Sequence, residues 1–396
     1  MSGNRLAKGL KAIIAVPTYW TFPEGKEGRE SVSYDHPTPL DCAGTLARLL
    51  ESLQGLRDPD FGIFIIAATT TPELEAAAER KVMNLIAPFR RSLTIACFGK
   101  EDLAFLQERL HGMGFAQRFF SLQGYGNVRN LQLAIAQGLG AEAMVSLDDD
   151  EVVVDQGFLS KALEFLGEEY NGSYVAGKGG FYLDAAGRRL PPIEREVERD
   201  GEGLFSRKLA IMQRALRELE RRPGRLVATS FVYGGDMVVH RELFARVPFD
   251  PYVPRGEDID YVLNARLKGY RFFFDKELAV VHLPPPTRDH LKEDVVRFIY
   301  ERLKLEAAHR AAGLEPIPPA ELAPYPGAFL REGLEVEARK ALKERGLREG
   351  IVDEALAFSQ RTFALFLEFW RHWPHVMEAI GEDMKLRRHL HWKLGG

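Results

Sequence analysis

The sequence predicts an α/β protein whose core is a mostly parallel sheet, followed by a C-terminal helical region. Three observations predict this class. Short, continuous apolar segments alternate with segments of helical spacing through the first part of the chain. Polar or acidic residues directly follow several of these apolar segments, and the last part of the chain carries helical spacing alone. Buried strands separated by helices are typical of a parallel sheet that is covered by helices.

The first half of the chain supplies four predicted buried strands. They span residues 12–16, 63–67, 93–98 and 143–147. Pro17 closes the first of them, and Pro72 opens a helix over residues 72–86, as proline does at a first helical position. Helical spacing over residues 40–53 and 130–139 provides further connections. This alternation favours parallel neighbours, because parallel strands need a crossover between them.

The second half adds fewer strands and ends in helices. Further strands are predicted over residues 226–233, 272–274 and 278–281, the last ending at His282. Helices are predicted over residues 289–312, 334–345 and 351–370. We therefore divide the chain into an α/β domain, residues 1–286, and a helical C-terminal domain, residues 287–396.

Composition excludes several classes of protein. The 396 residues carry a net charge of −4, whereas a nucleic-acid-binding protein normally has a basic excess. Two cysteines, Cys42 and Cys97, provide no disulfide framework and favour a reducing compartment. No apolar run is long enough for a transmembrane segment, and the N-terminus has no signal-peptide stretch. We expect a cytoplasmic location and leave peripheral membrane contact and a homodimer open.

The run Asp148-Asp149-Asp150 directly follows a predicted strand. Carboxylates gathered at a strand end repel each other and resist desolvation, and Mg²⁺ or Mn²⁺ removes that penalty. If the chain stays extended, Asp148 and Asp150 point the same way. Ligands of such sheets bind beyond the carboxyl ends of the strands, where Tyr19 also falls. The alternative is a capped turn of solvated acids.

Two further segments place chemical groups near turns. Glu257 and Asp258 follow Gly256 at a predicted helix start, where a carboxylate could take a proton from an acceptor hydroxyl. The alternative is that these acids only stabilise the helix start. His282 has the imidazole of a third metal ligand, although a lone histidine is more often a hydrogen-bonded residue.

Two glycine-containing segments complete the pattern. The paired glycines before Asp236 mark a turn where the backbone comes close to a ligand, or a plain tight turn. The fork of donors on Arg129 could pair with a diphosphate. The alternative for that segment is an ordinary helix start with Asn127 as its cap.

In this order the motifs resemble those of GT-A-fold glycosyltransferases, especially those related to family 2. The resemblance rests on residues 15–19, 126–130, 147–150, 154–159, 234–236 and 256–258, and covers about residues 11–286. It implies a GT-A fold and a metal-dependent transfer of a sugar from a UDP- or GDP-linked donor. The implied acceptor is a hydroxyl of a small molecule, a lipid or a glycan.

The resemblance also implies roles for individual residues. Those implied to bind the donor are Pro17, Thr18, Tyr19, Arg129, Asp148 and Asp149. Those implied to hold Mg²⁺ or Mn²⁺ are Asp150 and His282. Those implied to form the acceptor loop are Gly234, Gly235 and Asp236. The implied base of an inverting displacement is Asp258, with Glu257 as the second choice.

The sequence departs from the family pattern in ways that leave alternatives open. Residues 67–71 lack the acid that often reads the base at the second strand, so the identity of the base stays open. No Gln-x-x-Arg-Trp motif follows Asp260, which argues against a processive synthase. His282 resembles the histidine ligand of several retaining GT-A enzymes, so a retaining enzyme is the alternative.

Two other classes of function rank lower. A nucleotidyltransferase would need a Gly-rich phosphate loop after the first strand, and residues 16–20 do not form one. An inactive sugar-nucleotide-binding protein would not need the acids at Asp150 and Asp258.

Overall fold

The structure is a computed structural model that describes residues 10–26, 28–57, 60–115, 119–190, 203–286, 290–311 and 313–395. The strands are β1 (Ala12–Thr21), β2 (Thr38–Pro39), β3 (Phe61–Thr69), β4 (Ile95–Phe98), β5 (Ala143–Ser146), β6 (Glu151–Val152), β7 (Glu169–Tyr170), β8 (Ser173–Leu183), β9 (Arg189–Leu190), β10 (Leu226–Thr229), β11 (Met237–His240) and β12 (Arg271–His282). The helices are α1 (Leu46–Leu53), α2 (Glu75–Ile86), α3 (Lys100–Gly112), α4 (Tyr125–Leu139), α5 (Phe158–Leu163), α6 (Lys208–Arg221), α7 (Arg241–Phe244), α8 (Glu257–Leu267), α9 (Leu291–Ala308), α10 (Pro319–Leu322), α11 (Leu334–Glu344), α12 (Ile351–Glu382) and α13 (Met384–Gly395).

One central sheet organises the protein, with strand order β10-β12-β8-β11-β5-β1-β3-β4. The pairs β5-β1, β1-β3, β3-β4 and β12-β8 are parallel. The strand β11 enters between β5 and β8 and runs antiparallel to both. The α/β class with a mostly parallel sheet and C-terminal helices is therefore confirmed. The carboxyl ends of β1, β3 and β5 meet at one edge.

The strand β1 is longer than the sequence predicts, because Pro17 does not end it. The carbonyl of Ala15 accepts hydrogen bonds from the backbone of Leu147, at 3.4 Å, and from the side chain of Gln132, at 2.8 Å. Alternate residues of a strand face the same side, so the ring nitrogen of Pro17 also faces that neighbour. There β5 has already ended at Ser146, and the proline costs no ladder bond.

The C-terminal helices pack directly on the α/β part. One hydrophobic cluster contains Leu131 and Ile135 of α4 together with Trp373 and Leu390 of α12 and α13. The indole Nε1 of Trp373 donates to the carbonyl of Phe244, at 2.9 Å. The predicted domain boundary adjoins residues 287–289, which lie outside the described residues. The division into two domains stays a prediction.

Two details of the helical region differ from the predictions. The helix predicted over residues 351–370 continues to Glu382, because Trp373, Val376 and Ile380 keep its apolar face buried. The helix predicted over residues 289–312 spans Leu291–Ala308, and residues 289 and 312 lie outside the described ranges. Within those ranges, every helix is too short or too polar to traverse a bilayer.

A buried charge network ties α9 to the sheet side of the molecule. The ammonium of Lys304 lies 2.8 Å from Asp250 and 2.6 Å from Asp260, and all three side chains are fully buried. It also donates to the amide oxygen of Asn264, at 3.2 Å, while the hydroxyl of Tyr300 donates to Asp250, at 2.6 Å. Removal of the cation would leave two buried carboxylates facing each other.

We expect Lys304→Met to lower the free energy of unfolding by about 3–5 kcal/mol, as the loss of one partner of a buried ion pair does. Chemical denaturation followed by circular dichroism measures it. Lys292→Met, at an exposed position of the same helix, is the matched control and should stay within about 0.5 kcal/mol. Equal stability of the two variants would contradict the anchoring role of Lys304.

Candidate active site

A cavity of about 630 Å³ opens at the edge where β1 and β5 end. It brings together residues that are far apart in the sequence. The predicted site residues that line it are Tyr19, Arg129, Asp148, Asp149, Asp150, Gly234, Glu257, Asp258 and His282. They come from β1, α4, the turn after β5, the turn before β11, α8 and the end of β12. The sheet topology therefore produces the shared edge that the sequence predicts.

Four predicted site residues do not line this cavity. Pro17 and Thr18 are buried within β1, where the Thr18 hydroxyl donates to the carbonyl of Ile66 at 3.3 Å. Gly235 and Asp236 lie in a 3-10 turn and are buried beneath the wall. Burial raises the pKa of the Asp236 carboxyl, and nearby Asp275 adds to the effect. These four residues pack behind the residues that line the cavity.

The three consecutive aspartates point to different surroundings, because the chain turns after β5 and does not stay extended. Asp148 pairs with Arg129, its Oδ1 lying 2.9 Å from Nη2. Burial raises the pKa of the Asp149 carboxyl, the neighbouring aspartates raise it further, and a hydrogen bond with the Thr45 side chain opposes them. Asp150 is 1% exposed, and apart from two imidazoles at its Oδ2 its carboxylate oxygens have no hydrogen-bond partner among the described residues.

Two imidazoles flank the buried carboxylate of Asp150. The Nε2 atoms of His36 and His282 each lie 3.4 Å from its Oδ2. Antiparallel pairing of β12 with β6 sets His282 opposite Glu151, next to Asp150. The imidazole of His282 also stacks on the ring of Tyr182, with centroids 4.4 Å apart, and this stacking fixes its orientation.

Asp150, His36 and His282 are the candidate ligands of a divalent cation. Among the described residues, no group of three or more His, Cys, Asp or Glu side chains is spaced to hold a metal ion. The Nε2 atoms of His36 and His282 nevertheless lie 3.4 Å from Asp150 Oδ2, within the range of about 3.0 to 3.4 Å that separates neighbouring ligand atoms when each is about 2.1 Å from one ion. The unsatisfied buried carboxylate is the second indication. Two imidazoles argue against Mg²⁺, which prefers oxygen ligands, and suit a transition-metal ion better.

Arg129 is committed to protein partners. Its guanidinium is 4% exposed and lies 3.1 Å from Glu257, 2.9 Å from Asp148 and 2.6 Å from the Ser146 hydroxyl. The family resemblance implies a contact of Arg129 with the donor diphosphate. In this structure the side chain joins α4, the turn after β5 and the start of α8, and it also lines the cavity.

The two acids at the start of α8 have different environments. Burial raises the pKa of Glu257 to about 7, with the Arg129 guanidinium opposing and Asp258 adding to the rise. Asp258 lines the cavity and is more exposed. Its Oδ2 accepts from the backbone of Gly234 at 3.1 Å, and its Oδ1 from the backbone of Ile259 at 2.8 Å. Asp258 thus presents an oriented carboxylate to the cavity, whereas Glu257 is engaged with Arg129.

The paired glycines allow close packing behind the aspartates. A Cβ on Gly235 would lie 1.9 Å from the Glu151 carboxylate and 2.7 Å from the Tyr182 hydroxyl. The Gly235 backbone donates to that hydroxyl at 3.0 Å. The Glu151 carboxylate in turn accepts from the backbone of Asp148, at 2.9 Å. A side chain at position 235 would therefore disturb the aspartate turn.

Sequence reasoning missed several residues of the cavity wall. They are His36, the aromatic pair Tyr34 and Tyr125, and the cations Lys208, Arg255 and Arg297. The one local signal was residues 34–36, a Tyr-Asp-His run in a loop that follows β1. Tyr125 and Arg255 directly precede the motifs of residues 126–130 and 256–258. Lys208 and Arg297 lie in segments without a motif, and only the fold brings them to the cavity.

Comparisons with known proteins give distant likenesses. No family model and no curated protein sequence matches the chain. A mannosyltransferase from Pyrobaculum calidifontis, solved with GDP-Man and Mn²⁺, is 14% identical over 98% of this chain and 88% of its own, with a TM-score of 0.47. S. aureus TarS 1-349, solved with UDP, is 14% identical over 96% of this chain and 90% of its own, with a TM-score of 0.45. Likeness at this level does not define a reaction, and the function is therefore argued from the cavity.

We expect Gly235→Ala to lower the free energy of unfolding by about 1–3 kcal/mol, because the added methyl group overlaps Glu151. Thermal and chemical unfolding measure the change. Gly112→Ala is the control, since a Cβ there meets no described atom within 4 Å, and it should be neutral or stabilising by about 0.5–1 kcal/mol. If both variants are equally stable, Glu151 does not restrict position 235.

Proposed function

We propose that this chain is a metal-dependent glycosyltransferase with a GT-A-type fold. It transfers a sugar from a UDP- or GDP-linked donor to an acceptor hydroxyl with inversion at the anomeric carbon. The observation that carries the proposal is the convergence on one cavity of an unsatisfied Asp150 between two imidazoles and of the oriented Asp258 carboxylate. This pairing provides a cation site for a diphosphate and a base for an incoming hydroxyl.

The cation site consists of Asp150 and His282, as the family resemblance implies, and of His36, which the structure adds. A divalent ion bound there neutralises the charge of the departing nucleoside diphosphate. The chain's own contribution is to hold the three ligand side chains in place. The stacking of His282 on Tyr182 fixes one of them, and the backbone of Leu283, which donates to the Asp150 carbonyl at 3.0 Å, fixes another.

Asp258 acts as the base in this proposal. Backbone donors from Gly234 and Ile259 orient both of its oxygens while the side chain faces the cavity. It takes the proton of the acceptor hydroxyl as that oxygen attacks the sugar. Glu257 is less suited, because its carboxylate is buried and paired with Arg129. Arg129 thereby positions Glu257 and, through it, the start of α8.

The donor nucleoside lies against an aromatic wall in this proposal. The rings of Tyr19, Tyr34 and Tyr125 contact each other, with centroids 4.3 to 5.2 Å apart. The Tyr34 hydroxyl accepts from Gly124 and the Tyr125 hydroxyl from Asp35, each from the backbone at 2.8 Å. The Tyr19 hydroxyl is buried with no hydrogen-bond partner among the described residues.

Binding of UDP or GDP should depend on Mn²⁺ and on His36. In a thermal-shift panel of both nucleotides with and without Mn²⁺, one nucleotide should raise the melting temperature only with the ion. His36→Ala should weaken Mn²⁺ binding, measured by electron paramagnetic resonance, by at least about tenfold, since even supporting groups around a metal cost that much.

His375→Ala, at an exposed position of α12, is the matched control and should bind Mn²⁺ as the unaltered protein does. Absence of a shift with either nucleotide would overturn the proposed function. Unchanged Mn²⁺ affinity in His36→Ala would remove His36 alone from the ligand set.

Asp258→Asn should lower kcat by about 10²- to 10⁴-fold, the usual contribution of a general base, while donor affinity survives. Release of nucleoside diphosphate from the donor identified in the binding panel measures turnover. Asp353→Asn, which removes an exposed ion pair with Arg339 outside the cavity, is the control. A full rate in Asp258→Asn would show that another group accepts the proton.

A further inference from the structure

Three cations line the same cavity as the acids. Lys208 begins α6, Arg255 precedes α8, and Arg297 lies within α9. Their side chains are 22%, 26% and 2% exposed. Such side chains, drawn from three separate segments, are seldom gathered at one surface unless anions balance them. We call these three residues the basic wall.

The acids around the basic wall do not fully balance it. Asp294 lies 2.5 Å from Lys208 and 3.5 Å from Arg255, and Asp35 lies 2.9 Å from Arg255. Glu301 lies 3.0 Å from Arg297, but burial raises the pKa of its carboxyl, which weakens it as a counterion. Burial likewise lowers the pKa of the Lys208 ammonium. Two carboxylates, Asp294 and Asp35, serve Lys208 and Arg255, and the ammonium of Lys208 carries more donors than its one ion pair among the described residues uses.

The surroundings of the basic wall strengthen its attraction for an anion. Apolar side chains of Phe205, Leu209, Met212 and Tyr325 line the cavity beside it. Charges act more strongly on each other where such side chains exclude water. The cations would stabilise an anion bound here, and the anion would reduce the repulsion between the cations.

Two members of the basic wall lie away from the donor end. Lys208 and Arg297 lie over Phe298, in a hydrophobic cluster separate from the clusters that hold β1 and β5, whereas Arg255 pairs with Asp35 beside the aromatic wall. Asp258 lies between the aspartate turn at one end of the cavity and the basic wall at the other. Its carboxylate meets Gly234, which lies against Arg129, and the next residue, Ile259, packs into the cluster of the basic wall.

We propose that the basic wall binds an anionic group of the acceptor, a phosphate or a carboxylate, beside the base Asp258. The acceptor is then a hydroxyl compound with an acidic group. This inference rests on the proposed function, because it takes the cavity to be a transfer site. The donor diphosphate is the other possible source of the same chemistry, and the experiment separates the two.

The probe is inorganic phosphate, titrated by calorimetry into protein saturated with Mn²⁺ and with the nucleoside diphosphate that binds. Phosphate should bind this loaded protein. Lys208→Gln should weaken phosphate binding by about tenfold, since one charged hydrogen bond is lost, while Lys208→Arg keeps it. Lys161→Gln is the matched control, because Lys161 pairs with Asp155 at 2.8 Å outside the cavity.

A second variant has an effect of the opposite sign. Asp294→Asn removes the counterion shared by Lys208 and Arg255, so phosphate should bind more tightly, by about threefold or more. Damage to the fold would not strengthen binding. This result therefore distinguishes a role in binding from a structural role.

Three results would overturn the inference. Equal phosphate affinity in Lys208→Gln and the unaltered protein would remove Lys208 from the site. Displacement of phosphate by the nucleoside diphosphate, with Lys208→Gln weakening the nucleotide instead, would assign the cations to the donor and leave the proposed function intact. Failure of UDP and GDP to bind with Mn²⁺ would refute the proposed function and this inference together.

Discussion

The candidate site depends on one buried guanidinium. Arg129 holds Asp148 at the turn after β5 and Glu257 at the start of α8, while it donates to the Ser146 hydroxyl. Without this cation, two acids would face each other in a setting that excludes water, and the cost would be several kcal/mol. The contact also fixes the distance between the two acidic segments. One segment carries Asp150, and the other carries Asp258.

The same network explains why the three consecutive aspartates after β5 differ in their contacts. Asp148 is neutralised by Arg129, Asp149 is buried beside other carboxylates, and Asp150 remains unsatisfied between two imidazoles. Because the three acids have different surroundings, a single turn can serve structure and ligand binding at once. The cavity therefore has an acidic end at this turn and a basic wall beyond Asp258.

The C-terminal helices contribute to the site through α9. This helix carries Arg297 of the basic wall, and its buried Lys304 holds Asp250 and Asp260. The long helix α12 in turn packs on α4, which carries Arg129. The helical region thus shares the core of the α/β part and shapes the side of the cavity where we propose the acceptor binds.

The sequence by itself determined the class of fold, the strands β1, β3, β4 and β5 and the acidic groups at the sheet edge, because apolar runs and strand ends are local features. It also pointed to His282, which lies at the end of an apolar strand. It did not predict β8 or β11. Only the tertiary structure decided that Thr18 is buried away from the cavity, that Arg129 binds protein carboxylates, and that His36 stands beside Asp150. It also brought the three cations of the basic wall together. Those contacts join segments far apart in the chain, and their geometry follows from strand order and helix packing, which no local pattern specifies.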